Sequence, residues 1–189
     1  MARAQKTKIK TCFNKAWKTY DGNCSVQKTV CEKAIEMLKQ YRHQYANVVD
    51  VACGTGVSTQ CLAGQIECHT LYAIDFSERL LAVAKEKNLR YPVEWIGADF
   101  DDNIFEPGSQ DLVFCNMGLQ WSLNLKKTLA LFYEYLHNAG VCAFTMPLSG
   151  TFPEIQESHK NIFHSKEAVS VFLKACGFNE LYFQEEYFQ

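Results

Sequence analysis

The sequence lacks several patterns that mark whole classes of protein. Its nine cysteines form no C-x-x-C pair and its five histidines form no i, i+4 pair, so neither zinc nor thioredoxin-type chemistry is indicated and we expect no metal. No apolar stretch reaches the roughly 20 residues that a membrane-spanning helix needs, and the N-terminus has no apolar signal-peptide core. An odd number of cysteines without a secretory signal predicts reduced thiols and a cytoplasmic location.

Acidic residues are absent from the N-terminus. Residues 1–20 hold six lysines and arginines but no Asp or Glu, whereas the whole chain has a formal net charge of -2. This net charge gives no electrostatic basis for binding nucleic acid. The basic N-terminus can dock an acidic partner or can simply be solvated, and the sequence leaves both interpretations open.

The chain contains short apolar runs that alternate with amphipathic segments. Its 189 residues suit a single domain, which we place at 1–189. Apolar residues at helical spacing predict helices between Ile9 and Tyr45, the second of them from about Ser25 to Tyr41, and we treat 1–45 as an N-terminal helical lid or arm. Strands alternating with helices predict an α/β fold, with a Rossmann-like, doubly wound and mostly parallel sheet that has helices on both faces. Strands are predicted at 48–51, 70–74, 93–96, 112–115, 140–146 and 181–188, with further helices at 57–63, 78–87, 126–136 and 165–176.

A strand and a glycine turn organise the rest of the predicted sheet. Residues 47–56 read Asn-Val-Val-Asp-Val-Ala-Cys-Gly-Thr-Gly, which fits a buried strand, a sharp turn and the start of a helix. The N-terminus of that helix offers N–H groups to an anionic ligand. The dinucleotide fingerprint G-x-G-x-x-G fits poorly, because Ala52, Gly54 and Val57 occupy its three key positions. A tight strand–helix turn without a ligand is the alternative.

Polar residues follow three further predicted strands. Asp75, Asp99 and Asn116 lie at or just beyond the strand ends. Because ligands of open α/β sheets bind outside the carboxyl ends of the strands, we expect these residues to cluster with the glycine turn on one rim. A helix cap at Asp75 and a loop acid at Asp99 are the structural alternatives.

The glycine turn resembles motif I of class I S-adenosylmethionine (SAM) methyltransferases, Asp-x-Gly-x-Gly-x-Gly. Asp50, Ala52, Gly54 and Gly56 carry the motif here, with Ala52 in place of its first glycine. The resemblance implies a class I methyltransferase fold, with SAM as the cofactor and S-adenosylhomocysteine (SAH) as its product. It also implies that these four residues bind the cofactor.

The residues of the predicted rim take specific roles if the cofactor is SAM. Asp75 would accept hydrogen bonds from the ribose hydroxyls, and Asp99 would accept one from the adenine amine. Phe76 and Phe100 directly follow the two acids and would sandwich the adenine. Cofactor contacts through the backbone are expected at Asn116 and Met117.

Three further stretches narrow the resemblance. Residues 114–121 read Phe-Cys-Asn-Met-Gly-Leu-Gln-Trp, and residues 149–155 read Ser-Gly-Thr-Phe-Pro-Glu-Ile. Both stretches are similar to segments of the malonyl-acyl-carrier-protein O-methyltransferases of biotin synthesis, which carry Leu-Gln-Trp after an Asn-x-x pattern and a Gly-[Ser/Thr]-Leu-Pro-Glu-Leu segment. The third stretch matches that family's spacing at Phe13, Ala16, Tyr20, Asp21 and Gln27.

This narrower resemblance implies transfer of a methyl group to the free carboxylate of a malonyl thioester. Such a carboxylate is already ionised near neutral pH, so no general base is required, and catalysis rests on alignment and on the exclusion of water. Tyr20 is expected to hydrogen-bond the acceptor carboxylate, and Gln120 and Trp121 are expected to line the acceptor pocket. Core packing of Tyr20 and a plug at the sheet edge by Trp121 are the alternatives.

The expected partner is an acyl carrier protein or a small carboxylic acid, with no nucleic acid and no membrane. A catalytically silent methyltransferase-like subunit is the remaining alternative. The class I fold usually adds a seventh, antiparallel strand, which we do not find in this sequence. The open sheet edge would then pair with the last strand, with a second copy or with a partner chain.

Overall fold

A computed structural model describes residues 2–16, 22, 24–151 and 163–187, and it confirms the α/β architecture. None of the helices in these ranges is both long enough and apolar enough to cross a membrane. The elements follow the order α1 (Ala2–Ala16), α2 (Ser25–Tyr41), β1 (Gln44–Val51), α3 (Val57–Gln65), β2 (Glu67–Asp75), α4 (Glu78–Lys85), β3 (Val93–Gly97), β4 (Gln110–Asn116), α5 (Leu125–Tyr135), β5 (Leu136–Thr145) and α6 (Lys166–Cys176).

The five strands form one parallel sheet in the order β3-β2-β1-β4-β5. The central strand is β1, in which Val48 pairs with Leu71 of β2 on one side and with Leu112 of β4 on the other. The strand order therefore reverses at β1, because β2 and β3 lie to one side of it and β4 and β5 to the other. In sheets of this kind the ligand crevice lies outside the carboxyl ends of the strands at this switch point.

Apolar side chains alternate along the strands and bury both faces of the sheet. Val49 belongs to a cluster that includes Leu129 of α5, whereas Val48 belongs to a second cluster with Ile35 of α2 and Leu62 of α3. Successive residues of a strand point to opposite faces, so these clusters lie on opposite sides of the sheet. The prediction of helices on both faces is confirmed.

The second helix ends at Tyr41, as predicted, whereas the first strand begins earlier than predicted. Strand β1 starts at Gln44 rather than at Val48, and Tyr45 is a buried residue of β1 that pairs with Cys68 of β2. A single buried aromatic residue satisfies a helical and a strand period equally well, so the sequence pattern did not separate the two.

The predicted last strand is also wrong over the residues that the structure describes. Residues 181–187 form no strand, and β5 is an edge of the sheet in the described part of the chain. Tyr182 and Tyr187 are 74% and 86% exposed, so the partial alternation here provides no apolar face that could pack on a helix. The acids of this segment pair with lysines of two helices, in the ion pairs Lys33–Glu186 and Lys166–Glu185.

Candidate active site

The turn between β1 and α3 uses backbone conformations that suit glycine. Gly54 and Gly56 have φ angles of 56° and 80°, both in the left-handed region. The N–H of Cys53 donates to the carbonyl of Ile74 at 3.0 Å, which joins the turn to the end of β2. Because the N-cap of α3 is a glycine, it brings no capping side chain to the first N–H groups of the helix, which can therefore bind an anionic group.

Ala52 adopts the left-handed conformation of the glycine that it replaces in the motif. Its φ angle is 56°, a conformation that costs a non-glycine residue roughly 1–2 kcal/mol. The methyl group of Ala52 lies against Gly118, where an added Cβ would be 2.6 Å from the Ala52 Cβ and 2.8 Å from Cys115 Sγ. The glycine at position 118 therefore makes room for the alanine at position 52.

A Gly118→Ala variant is expected to be less stable by about 1–3 kcal/mol, because the new methyl group would overlap both of these atoms. Urea unfolding measures the loss. The matched control is Gly64→Ala, since a Cβ at Gly64 meets nothing within 4 Å and alanine suits a helix better than glycine. Adding Ala52→Gly to Gly118→Ala should recover part of the loss. If Gly118→Ala and Gly64→Ala were equally stable, the close packing of Gly118 against Ala52 would be contradicted.

Asp50 lies beneath the turn rather than at the surface of the rim. Its side chain is completely buried, and its Oδ2 accepts hydrogen bonds from Ser58 Oγ at 2.7 Å and from Thr59 Oγ1 at 2.6 Å. Burial raises the pKa of Asp50 to about 7, although the two hydroxyl hydrogen bonds oppose the shift. Both hydroxyls belong to the start of α3, so Asp50 holds that helix against β1. A contact between Asp50 and the cofactor stays a prediction.

Asp75 joins the end of β2 to the glycine turn. Its Oδ2 accepts the N–H of Gly54 at 2.9 Å, and its Oδ1 accepts the N–H of Ser77 at 2.7 Å. Burial raises the pKa of Asp75 to about 6; the two N–H donors lower it, and the nearby charge of Asp99 raises it. Each carboxylate oxygen keeps a lone pair with which it can accept a hydrogen bond from a ligand hydroxyl. The N-cap of α4 is Ser77, so the helix-cap alternative for Asp75 does not hold.

Asp99 lies beside Asp75 at the end of β3. The N–H of Ala98 donates to the carbonyl of Asp75 at 3.2 Å, which sets the two strand ends side by side. Phe76 is half-buried and Phe100 is 7% exposed, so each acid is followed by a ring that packs in the protein. The structure thus brings the glycine turn and these two strand ends together on one rim.

The ammonium group of Lys6, in α1, lies among these side chains. Its Nζ donates to Asp99 Oδ1 at 2.8 Å and lies 4.3 Å from the ring centroid of Phe100 and 5.8 Å from that of Phe76. Sequence reasoning missed this residue, because nothing in the sequence distinguishes Lys6 from the other lysines of the basic N-terminus.

Asp101 is a second residue that the sequence pattern did not single out. It anchors the segment that leads into α5, because its carboxylate accepts hydrogen bonds from Thr128 Oγ1 at 2.6 Å and from the N–H of Leu123 at 3.0 Å. Lys6 Nζ lies 2.9 Å from Asp101 Oδ2. Burial alone would raise the pKa of Asp101, but these hydrogen bonds and the lysine charge outweigh it and lower the pKa. The one sequence feature that could have pointed to Asp101 is its position two residues after Asp99.

Asn116 and Met117 connect the end of β4 to β5 and α2. The N–H of Met117 donates to Thr145 Oγ1 at 2.9 Å, and Thr145 Oγ1 donates to Asn116 Oδ1 at 2.7 Å. Asn116 Nδ2 in turn donates to the carbonyl of Gln27 at 3.0 Å. The backbone N–H of Met117 is therefore already used within the protein, and the backbone contacts of both residues to the cofactor stay predictions.

Gln120 and Trp121 lie in a short 3-10 turn that follows β4. Gln120 Nε2 donates to the carbonyl of Met117 at 2.7 Å, while its Oε1 is buried without a hydrogen-bond partner among the described residues. The ring of Trp121 packs edge-on against Phe13 of α1 with centroids 5.3 Å apart, and Phe13 lies 6.2 Å from the ring of Phe76. The first helix thus bridges the predicted acceptor pocket and the predicted cofactor site.

Three sequence-based expectations fall on parts of the chain that the structure does not describe. Tyr20, the predicted lid residue, lies outside the described residues, as do Asp21 and residues 152–155 of the family-like segment. Their roles stay predictions.

Comparisons with known sequences identify the family. Residues 48–140 match the family described as a methyltransferase domain. The chain is 43% identical over 188 residues to malonyl-[acyl-carrier protein] O-methyltransferase 2 of Coxiella burnetii (strain RSA 493 / Nine Mile phase I), covering 100% of this chain and 76% of that protein. It is 30% identical over 179 residues to the malonyl-[acyl-carrier protein] O-methyltransferase of Priestia megaterium (strain DSM 319 / IMG 1521), covering 94% of this chain and 64% of that protein.

Solved structures share the fold. Phosphoethanolamine N-methyltransferase 2 of Haemonchus contortus, in complex with S-adenosyl-L-methionine, matches with a TM-score of 0.64 and 25% identity over 77% of this chain and 36% of that chain. A possible histamine N-methyltransferase of Thermotoga maritima matches with a TM-score of 0.68 and 16% identity over 89% of this chain and 80% of that chain. The whole-chain relative and this fold show that the chain belongs to the malonyl-[acyl-carrier protein] O-methyltransferase family, whose methyl donor is S-adenosylmethionine.

Proposed function

We propose that the chain transfers a methyl group from SAM to the free carboxylate of a malonyl group carried by acyl carrier protein. One observation carries this function: Asp75 accepts the N–H of Gly54 at 2.9 Å, which sets a strand-end carboxylate on the glycine turn where the strand order reverses. The names of the relatives from Coxiella burnetii and Priestia megaterium support the choice of acceptor. When bound, SAM supplies the electrophilic methyl group.

The side chains of the rim fit a nucleoside with a zwitterionic tail. Asp75 can accept from two vicinal ribose hydroxyls, and Asp99 can accept from an adenine amine. Phe76 and Phe100 offer ring faces to the base. The N-terminus of α3, which follows the glycine turn, suits the carboxylate of the tail through its N–H groups and its positive dipole end.

On the acceptor side, the protein has to align the carboxylate and to exclude water. A malonyl carboxylate needs no general base, because ordinary carboxyl pKa values lie near ~4. Gln120 and Trp121, in the turn after β4, would line the acceptor pocket. Alignment of this kind can contribute on the order of 7–11 kcal/mol to the rate. Tyr20 stays the predicted donor to the acceptor carboxylate.

The outer face of α1 suits an acidic carrier protein. Lys8 and Lys15 are exposed on this helix, and its sequence contains no acidic residue. Complementary charges raise the rate of association and act less strongly as the salt concentration increases. We therefore propose that the carrier protein docks against the N-terminal arm at residues 1–45.

A methyl-transfer assay tests this function. The protein is incubated with methyl-labelled SAM and, in separate reactions, with malonyl-acyl carrier protein, acyl carrier protein without the malonyl group, and free malonate. We expect base-labile label on the malonyl form only. Preferential labelling of malonate would favour a methyltransferase for small carboxylic acids. Binding of SAH without transfer to any acceptor would favour a catalytically silent subunit.

A further inference from the structure

Lys6 is the one buried lysine among the described residues, and it is held by the side chains that we assign to adenine. Its side chain is 10% exposed, and its Nζ lies 2.8 Å from Asp99 Oδ1 and 2.9 Å from Asp101 Oδ2. The ring centroid of Phe100 is 4.3 Å from the same nitrogen. The ammonium therefore combines charge-assisted hydrogen bonds with a cation–π contact.

The proposed adenine contacts and the observed lysine contacts use the same two side chains. An adenine amine would donate to the Asp99 carboxylate, and its ring would lie on the face of Phe100. Lys6 already donates to Asp99 and already lies over Phe100.

The first helix is held at the rim by polar contacts and by the ring of Phe13. Ser77 Oγ donates to Asn14 Oδ1 at 2.6 Å, Arg79 Nη1 donates to the carbonyl of Asn14 at 3.3 Å, and Lys10 lies 3.8 Å from an oxygen of Glu78. Among the α1 side chains whose burial the structure describes, Lys6 alone is buried. A helix of 15 residues is marginal by itself in water, so α1 depends on these contacts with the rim.

We propose that α1 is an autoinhibitory lid, in which the Lys6 ammonium competes with the adenine of the cofactor for Asp99 and Phe100. Cofactor binding then requires α1 to release this contact, and the apparent affinity is reduced by the fraction of molecules in which the lid is closed. This inference rests on the proposed function, because it needs the adenine site at Asp99.

Calorimetric titration with SAH tests the competition. The Lys6→Met variant keeps the length of the side chain but removes the ammonium, and we expect it to bind SAH at least about fivefold more tightly than the unchanged protein. Lys127→Met is the control, because Lys127 is an exposed lysine of α5 and its loss should leave the affinity unchanged. An affinity of Lys6→Met that is equal to or weaker than that of the unchanged protein would overturn the lid.

Hydrogen exchange of the unchanged protein provides a test that does not depend on any variant. We expect the amides of α1 to exchange faster when SAH is added, because the helix leaves the rim. Slower exchange of α1 with SAH would show that the helix closes over the cofactor, which would overturn the competition while leaving the proposed function intact. If neither the unchanged protein nor Lys6→Met binds SAH, the proposed function fails and the lid fails with it.

Discussion

The Asp75→Ala variant is expected to bind SAH at least on the order of 100-fold more weakly than the unchanged protein. The Asp75 carboxylate would accept two hydrogen bonds from the ribose hydroxyls. Each hydrogen bond to a charged group contributes about 1.5–3 kcal/mol. The same substitution removes the acceptor of the Gly54 and Ser77 N–H groups. Each buried donor that is left unpaired costs about 1–3 kcal/mol, so the free energy of unfolding should also fall. Calorimetry with SAH and urea unfolding measure the two effects.

An exposed acid provides the control for this variant. Asp102 lies in the loop after β3 and its side chain is exposed, so Asp102→Ala should change neither SAH affinity nor stability by a measurable amount. Folded Asp75→Ala protein that binds SAH as tightly as Asp102→Ala would remove Asp75 from the cofactor site.

The ionisation of Asp50 should make the protein less stable as the pH rises from about 4 to about 7. Burial raises the pKa of Asp50 from 3.8 to about 7, so the folded state binds a proton in this range that the unfolded state has already lost. The stabilising contribution is fully present below the unfolded pKa and is lost as the pH rises through the folded pKa. The free energy of unfolding that is lost in this way is at most about 4 kcal/mol. Asp75, whose pKa is raised to about 6, contributes with the same sign.

The Asp50→Asn variant isolates this contribution. Its amide oxygen can still accept from Ser58 and Thr59, but it does not ionise, so the variant should gain stability relative to the unchanged protein as the pH rises. Urea unfolding at several pH values between 4 and 7.5 measures the difference. Asp111→Asn is the control: burial opposes the shift, but hydrogen bonds from the Asn47 N–H and His137 lower the pKa of Asp111 below 3.8, so its difference should stay constant across this pH range. If the difference in free energy of unfolding between Asp50→Asn and the unchanged protein did not depend on pH, the raised pKa of the buried Asp50 carboxyl would be contradicted.

Local patterns predicted the strand, the turn and the strand-end acids because each of them depends on near neighbours in the chain. A run of β-branched residues followed by Gly54 and Gly56 can hardly form anything but a buried strand and a sharp turn. The parallel sheet then places Asp75 and Asp99 at one rim by topology alone. The last predicted strand failed because its partial alternation had no apolar face, and exposure rather than periodicity decided its conformation.

The contacts that the sequence did not reveal join residues that are far apart in the chain. Lys6 and Asp99 are separated by 93 positions, and no short-range pattern links a lysine in a basic N-terminus to an acid after β3. The sequence did not reveal that the Asp50 carboxylate accepts hydrogen bonds from the hydroxyls of Ser58 and Thr59, and its contact with the cofactor stays a prediction. A motif identifies which residues matter, whereas the direction of each side chain depends on packing.

A crystal structure of the protein with SAH tests the central claim most directly. We predict that the ribose hydroxyls lie within hydrogen-bonding distance of the Asp75 carboxylate and that the adenine amine reaches Asp99, with the ring on the face of Phe100 and Lys6 displaced. A nucleoside bound away from the glycine turn at Gly54, with no contact to either carboxylate, would contradict the account.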